Sequence, residues 1–296
     1  MVKLTRTEKI FDVLIIGFLL ILTAMCILPM WNVLMVSFSA SEAAAAGRVG
    51  LWPVGITPAS YLYVLERKPF FTAFGVSLQR TLLGTVISMV ITSITSYPLS
   101  KSASEWRWRT KYIWFFFFTM LFGGGLIPFY MVVVALGLVN TIWALIIPGA
   151  LNVWNIILMM NFMRRLPHEV AESAEVDGAS DWTILWRIYM PMSLPVIATL
   201  TLFTAVGHWN SWFDGMIFMN DLDKIPLQTY LRSINVVIDA EKLRDMTPEQ
   251  LMLFSKISNR TFKNAQIFIA MVPILAVYPF LQKYFVKGIT LGSVKE

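Results

Sequence analysis

The side chains best suited to acid–base or nucleophilic chemistry are scarce in this sequence. It contains two histidines, His168 and His208, and a single cysteine, Cys26. Neither histidine stands in a Ser–His–acid or metal-ligand spacing, and one cysteine cannot form a disulfide or a thiolate site within the chain. The phosphate-binding motif G-x-x-x-x-G-K-[ST] does not occur. We therefore predict that the chain is not an enzyme and that it binds no metal or cofactor itself.

The run from His208 to Asp214 carries a different kind of chemistry. It combines indole rings with amide and carboxylate groups. Aromatic faces can stack on a sugar ring, and the polar groups can hydrogen-bond its hydroxyls. We therefore predict that Trp209, Asn210, Trp212 and Asp214 line a sugar pathway. A belt of aromatic residues at a membrane interface would explain the two tryptophans almost as well, so both interpretations stay open.

The elements that position these residues are predicted to lie in a membrane. Hydrophobic residues make up 57% of the chain and charged residues 14%, whereas a soluble domain has roughly half and a quarter. The apolar runs are long enough to cross a membrane as helices, and they lack the alternation of polar and apolar residues that membrane strands have. We predict an all-α, polytopic membrane domain covering residues 1–296. Its six spans are expected at about 11–38, 75–99, 112–136, 139–163, 193–219 and 264–285.

The basic residues predict the orientation of this domain. They gather after the second and fourth spans and around the end of the sixth, as Lys101, Arg107, Arg109, Lys111, Arg164, Arg165, Lys283 and Lys287. The positive-inside rule places these segments and both termini in the cytoplasm, and the loops of about 39–74 and 220–263 outside. Because the basic residues flank apolar runs and form no single stripe, the net charge of +6 does not indicate nucleic-acid binding.

Polar groups and glycines inside the predicted spans have both structural and functional interpretations. Asn152 and Asn155 lie three residues apart on one helix face and are further pathway candidates. Hydrogen bonding between helices is the alternative for them. Arg80, near the start of the second span, is expected to extend to the outer surface as an anchor. Gly123–Gly125 and Pro128 predict a kink or break in the third span.

A polar segment of about 164–192 separates the fourth and fifth spans and is predicted to form two short helices. The first runs over about 168–177, with Pro167 in its first turn and Gly178 in a left-handed conformation after its end. Its face of small residues is expected to receive another protein backbone; this face comprises Val170, Ala171, Ala174 and Gly178.

The second helix of this segment is predicted to begin at a cap formed by Ser180 or Asp181 and to end at Pro191. Its apolar residues recur at helical spacing, as Trp182, Leu185, Trp186 and Tyr189. We expect that face to pack against the membrane domain.

The same segment resembles the EAA loop of ABC importer permeases. The family form is E-A-A, three residues, G, nine residues and I-x-L-P, and the chain has Ser173 and Met190 at two of these positions. The spacing of the spans looks like carbohydrate-importer permeases of the maltose type. The run Phe122–Pro128 further resembles the subgroup for complex oligosaccharides and polysaccharides, which includes the alginate importer.

This resemblance implies the type I importer permease fold, in which the loop is a cytoplasmic coupling helix held by an ABC ATPase dimer. ATP and Mg²⁺ would bind to that ATPase. The implied coupling residues are Glu172, Ser173, Ala174, Asp177, Gly178, Ala179, Ile188 and Pro191. Further implied partners are a second permease, usually a different chain, an extracytoplasmic solute-binding protein, a carbohydrate and the lipid bilayer of the bacterial cytoplasmic (inner) membrane.

The outer loop of about 220–263 is long for a simple connection, which favours a function. In maltose-type permeases the corresponding loop probes the sugar cleft of the binding protein, and the run Ile225–Leu231 matches the family pattern. The resemblance thus implies contacts to the binding protein from Pro226, Leu227, Gln228 and Tyr230.

Two alternatives to these predictions remain. Residues 164–192 could form an ordinary interfacial amphipathic helix, although such helices usually carry more basic residues. The protein could also be a self-contained, ion-coupled secondary transporter. Such transporters usually bury several charged residues, whereas Asp214 is nearly alone at membrane depth here.

Overall fold

A computed structural model describes residues 6–233 and 257–293, and in this part of the chain all regular structure is helical. Much of the predicted outer loop of 220–263 therefore lies outside the described residues. The described helices are α1 (Arg6–Ser37), α2 (Ser41–Ala45), α3 (Ala59–Leu65), α4 (Lys68–Ser100), α5 (Arg109–Leu121), α6 (Leu126–Ala135), α7 (Ile142–Ile146), α8 (Val153–Met163), α9 (His168–Val176), α10 (Asp181–Ile184), α11 (Met190–Met192), α12 (Leu194–Asn210), α13 (Phe213–Phe218), α14 (Leu227–Ser233) and α15 (Asn259–Ser293).

Two of these helices, α1 and α4, are individually long and apolar enough to cross a membrane. Three further pairs of helices are long and apolar enough when each pair is taken as one span, but each pair is bent at the break between its two helices. Counting each pair as one span gives up to five crossings among the described residues. The fifth predicted span of 193–219 stops early, because α12 ends at Asn210 and Ser211 is extended. The sixth lies within α15. Six crossings are therefore not confirmed and stay a prediction.

The break predicted in the third span is present. Helices α5 and α6 meet at an angle of 113°, and Gly125 between them has a φ of +85°, which favours glycine. Pro128 follows in the first turn of α6, where its missing N–H removes no helical hydrogen bond. The glycines thus end α5, and the proline is compatible with the new helix.

Two compact units can be distinguished in the chain. One comprises residues 1–68 and 233–272, and the other comprises residues 69–232 and 273–296. In the first unit, the end of α1 packs on α2 through Val36 and Ala44, and the Arg260 guanidinium donates to the carbonyl oxygen of Ala44 at 3.0 Å. The expected single membrane domain stays a prediction.

The second unit contains every candidate site described below. One of its core clusters joins α4, α8, α12 and the segment after α9; its buried members are Met89, Tyr97, Met159, Met163, Ile184, Leu185, Tyr189 and Leu200. A further cluster joins α6, α7, α13 and the start of α14; its buried members are Val133, Ala144, Leu145, Phe218, Met219 and Ile225. The first cluster includes buried residues of the predicted coupling segment. The second includes Phe218 of α13, the helix that follows α12.

Candidate functional site

Helix α9 has the ends that its sequence predicts. It runs over His168–Val176, one residue shorter than expected, and Pro167 immediately precedes it. At its C-terminus the N–H of Ala179 donates to Ala174 O at 2.9 Å, and the N–H of Gly178 donates to Glu175 O at 3.0 Å. This pair of bonds is the Schellman motif, which requires a left-handed residue. Gly178 has a φ of +81°, so its predicted conformation is confirmed.

Only part of the predicted docking face of α9 is accessible, because Val170 and Gly178 are exposed whereas Ala171 and Ala174 are partly buried. Ala171, Ala174 and Ala179 pack against the core of this chain, where small side chains let the helix lie close to its own protein. The surface that remains exposed is acidic, with Glu172, Ser173 and Asp177 as members. Val176, 88% exposed, lies on it as well. A partner at α9 would therefore meet carboxylates.

The second helix differs from its predicted form because a π turn, Leu185–Tyr189, lies between α10 and α11. Ile184, Leu185 and Tyr189 are buried, so the predicted packing of Leu185 and Tyr189 is confirmed. Trp182 and Trp186 are 58% and 40% exposed, and the prediction that they pack on the core is wrong. The cap is formed by Ser180, whose Oγ accepts from the N–H of Thr183 at 3.4 Å.

The two coupling residues expected near the end of this segment are placed differently. Ile188 is partly buried and packs against the core cluster of the second unit. Pro191 is exposed and lies within α11, which ends at Met192, one residue later than predicted. The break comes at Ser193, before α12 begins.

A lysine at the end of α4 ties that helix to the predicted coupling segment. The Lys101 ammonium donates to Asp181 Oδ1 at 2.5 Å and lies 4.0 Å from Glu175 Oε1. The Tyr97 hydroxyl also donates to Asp181 Oδ1, at 3.1 Å. The hydrogen bond and charge of Lys101 lower the pKa of the Asp181 carboxyl. The sequence indicates Lys101 only as a topology signal, because its partners lie about 80 residues away.

Several of the predicted pathway residues meet at one cavity of about 440 Å³, a size within the range of small-molecule sites. Asn152, Asn155 and Asp214 all line it. It also has residues that the sequence analysis did not select for the pathway, namely Arg80, Ser88, Thr204, His208 and Ser211. Aromatic side chains complete the lining; they are Phe129, Trp154, Phe203 and Phe218.

The strongest polar contact at this cavity joins Arg80 to Asp214. One guanidinium nitrogen of Arg80 donates to Asp214 Oδ1 at 3.1 Å, and another pairs with Oδ2. Arg80 lies twelve residues into α4, about three turns, because this helix begins at Lys68. Its side chain is only 3% exposed. The prediction that Arg80 reaches the outer surface is therefore wrong, since the guanidinium is buried and pairs with the partly exposed carboxylate of Asp214.

The two asparagines contribute to structure as well as to the cavity. Asn155 Nδ2 donates to Thr204 Oγ1 at 3.0 Å and so links α8 to α12, which is the interhelical bond of the structural alternative. Asn152 caps α8, because its Oδ1 accepts from the N–H of Asn155 at 3.3 Å.

The run His208–Asp214 is divided by the fold. Trp209 is buried and packs edge-on against Phe74. Trp212 has the Arg232 guanidinium 3.6 Å from its ring centroid. Asn210 is exposed, and none of these three lines the cavity as the described residues define it. Asp214 is the member of the predicted set from this run that reaches it.

His208 lies at the cavity because α4 and α12 approach closely. It hydrogen-bonds to the backbone of Gly84, and a Cβ built on Gly84 would lie 2.6 Å from its Nε2. The interaction therefore requires glycine at position 84. Helical periodicity could place Gly84 on one face of α4, but could not show what it touches.

The residues expected to contact a binding protein are partly inaccessible. Pro226 and Leu227 are buried in this chain, and the N–H of Leu227 donates to Ser77 Oγ at 2.7 Å. A Cβ built on Gly215 would lie 2.7 Å from two ring carbons of Pro226. These two residues hold the start of α14 against α4 and α13. Gln228 and Tyr230 are half-buried, and their predicted contact stays a prediction.

Comparison with known proteins agrees with the resemblance. Residues 71–291 match the family model described as a binding-protein-dependent transport system inner membrane component. The chain is 39% identical to the polygalacturonan/rhamnogalacturonan transport system permease protein YtcP of Bacillus subtilis (strain 168), over 97% of this chain and 99% of that one. It is 40% identical to protein LplC of the same organism, over 98% and 97%.

A solved structure also has this fold. It is a bacterial ABC transporter involved in the import of the acidic polysaccharide alginate, and one of its chains superposes with a TM-score of 0.86 at 33% identity. The match covers 96% of this chain and 100% of that one. The predicted all-α fold of type I importer permeases is thus confirmed, and an importer component is favoured over an ion-coupled transporter. The chain belongs to the family of inner-membrane components of binding-protein-dependent transport systems.

Proposed function

We propose that this chain is a permease subunit that forms half of the pathway for an oligosaccharide or polysaccharide. A separate ABC ATPase dimer would supply the energy by binding ATP and Mg²⁺. The second half of the pathway would come from another permease, related but different. An extracytoplasmic solute-binding protein would deliver the carbohydrate. The names of the relatives, which include a polygalacturonan permease and an alginate importer, support this substrate class.

The observation that carries the proposal is that one face of α9 packs on this chain while the other is exposed. Its alanines pack on the core of the second unit, while Glu172, Ser173, Asp177 and Gly178 face outward. An ATPase could therefore hold α9 without disturbing the packing beneath it. Since Lys101 contacts Glu175 in α9 and Asp181 at the start of α10, a displacement of this segment would also act on α4.

The proposed location is the bacterial cytoplasmic membrane, with both termini and residues 164–192 in the cytoplasm. The positive-inside pattern supports this orientation. In that arrangement α9 meets the ATPase, and the loop of about 220–263 meets the binding protein through Gln228 and Tyr230.

The test is transport by the assembled complex in proteoliposomes. The chain would be co-purified with its partners in a mild detergent, and uptake of an oligogalacturonate would be measured with ATP and the binding protein present. We expect uptake that stops when ATP or the ATPase is omitted. Uptake by this chain alone, driven by an ion gradient, would instead support the secondary transporter and contradict the proposal.

A further inference from the structure

The hydrogen-bonding groups at the cavity beside Arg80 are not balanced. Asp214 is well supplied with donors, because Oδ1 accepts from Arg80 at 3.1 Å, from Ser211 Oγ at 2.9 Å and from the N–H of Gly215 at 2.9 Å. Its other oxygen, Oδ2, is paired with the second guanidinium nitrogen. The acidic group at this site therefore has little capacity left to accept a hydrogen bond from a ligand.

Two donors at the same cavity are unused. Arg80 Nε and Ser88 Oγ are both buried, and neither has a hydrogen-bond partner among the described residues. Both residues line the cavity and lie on α4, eight positions apart. A buried donor without a partner is costly, and a guanidinium more so than a neutral group. The site thus has two buried donors without a partner, and a ligand that supplies acceptors would complete it.

We infer that this cavity binds a carboxylate-bearing sugar unit, a uronic acid, and that Arg80 recognises its carboxylate. A planar guanidinium matches a carboxylate better than it matches a hydroxyl. Asp214 could release one guanidinium nitrogen to the substrate and keep its bonds to Ser211 and Gly215. The aromatic residues Trp154 and Phe203 on the lining offer apolar faces for the sugar ring.

This inference rests on the proposed function, since it assigns a substrate class to the same pathway. It does not depend on the delivery protein, because the groups that select the carboxylate belong to this chain. A binding measurement without that protein can therefore test it separately from transport.

The experiment uses the complex that contains the full chain, in nanodiscs of zwitterionic lipid. Binding of an oligogalacturonate of defined length is compared with binding of the same oligomer after reduction of its carboxylates to alcohols, by saturation-transfer NMR. We expect the acidic form to bind at least about ten-fold more tightly than the neutral form.

The main variant replaces both charged partners, Arg80→Gln with Asp214→Asn, so that no unpaired charge is buried. We expect it to lose the preference for the acidic oligomer. A gentler variant, Ser88→Ala, should weaken binding of the acid by about two- to five-fold. Its matched control is Ser93→Ala on the same helix, because Ser93 Oγ already donates to Met89 O at 2.8 Å. Binding should be unchanged in that control.

Three results would overturn the inference. They are equal binding of the two oligomers, an undiminished preference in the double variant, and competition by anionic lipid at equal total lipid, which would reassign the site to a lipid headgroup. None of these three results would contradict the proposed import of a saccharide. If the complex takes up no saccharide with ATP and binding protein present, the proposed function itself fails and the inference fails with it.

Discussion

The coupling segment, residues 164–192, and the cavity beside Arg80 both contain polar residues that the sequence analysis selected within an apolar chain, but the fold treats the two regions differently. In the coupling segment the predicted residues are neighbours in the sequence, and most of them are exposed. At the cavity the polar groups come from α4, α8, α12 and the start of α13. The first site depends on local backbone conformation, and the second depends on how distant helices pack.

This difference determines how each site should respond to mutation. Changes on the exposed face of α9 remove no buried contact, so they should alter partner binding and leave the folded chain intact. Changes at the cavity leave buried charges or overfill close contacts, so they should first destabilise the chain. Four variants test this distinction, and the first three have a matched control.

The largest effect is expected for Asp214→Ala. It leaves the Arg80 guanidinium buried without its carboxylate, which typically costs about 3–5 kcal/mol. The control is Asp177→Ala on the exposed surface of α9, where a change within about 0.5 kcal/mol is expected. The apparent unfolding temperature of the full chain in detergent would be compared for both variants. Equal losses would show that the two regions do not differ in this way.

The second variant tests the approach of α4 to α12. In Gly84→Ala the new methyl group would meet His208, so overpacking should cost about 1–3 kcal/mol. The control is Gly75→Ala in the same helix, because no described atom lies within 4 Å of a Cβ built there. In a helix interior alanine is also more favourable than glycine by about 1 kcal/mol, so the control variant should lose no stability. Thermal unfolding should separate the variants, and a loss in the control would contradict the explanation.

The third variant tests the coupling segment through its backbone alone. Gly178→Val places a β-branched residue in a left-handed conformation, at a cost of about 1–2 kcal/mol, although the site has space for a side chain. We expect α9 to lose its C-terminal turn and the assembled complex to lose ATPase activity linked to transport. Gly178→Asn is the control, since asparagine tolerates this conformation. Wild-type activity in the valine variant would count against the proposed coupling.

The smallest effect concerns the pair of partly buried Lys101 and exposed Asp181, for which no more than about 1 kcal/mol is expected. Because Lys101 lowers the pKa of Asp181, the contribution of the pair is present above the ordinary carboxyl pKa. It is lost as the pH falls through the lowered value. Lys101→Met should raise the pKa of Asp181, as measured by NMR titration of the carboxyl group. An unchanged titration would show that the contact does not persist in solution.

Local sequence was sufficient for several features. The triple glycine predicted the break between α5 and α6, and Gly178 predicted the end of α9, because both depend on backbone conformations that favour glycine. The length and apolarity of the runs predicted an all-helical membrane protein, and the spacing of Glu172, Gly178 and Pro191 predicted its family. These properties are encoded by residues close together in the chain.

Tertiary packing decided the rest. It turned Ala171 and Ala174 inward and left Trp182 and Trp186 exposed. It also brought Arg80 to Asp214 across more than 130 residues and buried Leu227. Periodicity identifies which residues share a helix face, but the surface against which that face packs depends on helices far away in the sequence. For that reason the sequence by itself determined the family and the helices, and only the tertiary structure determined the charge pair and the cavity.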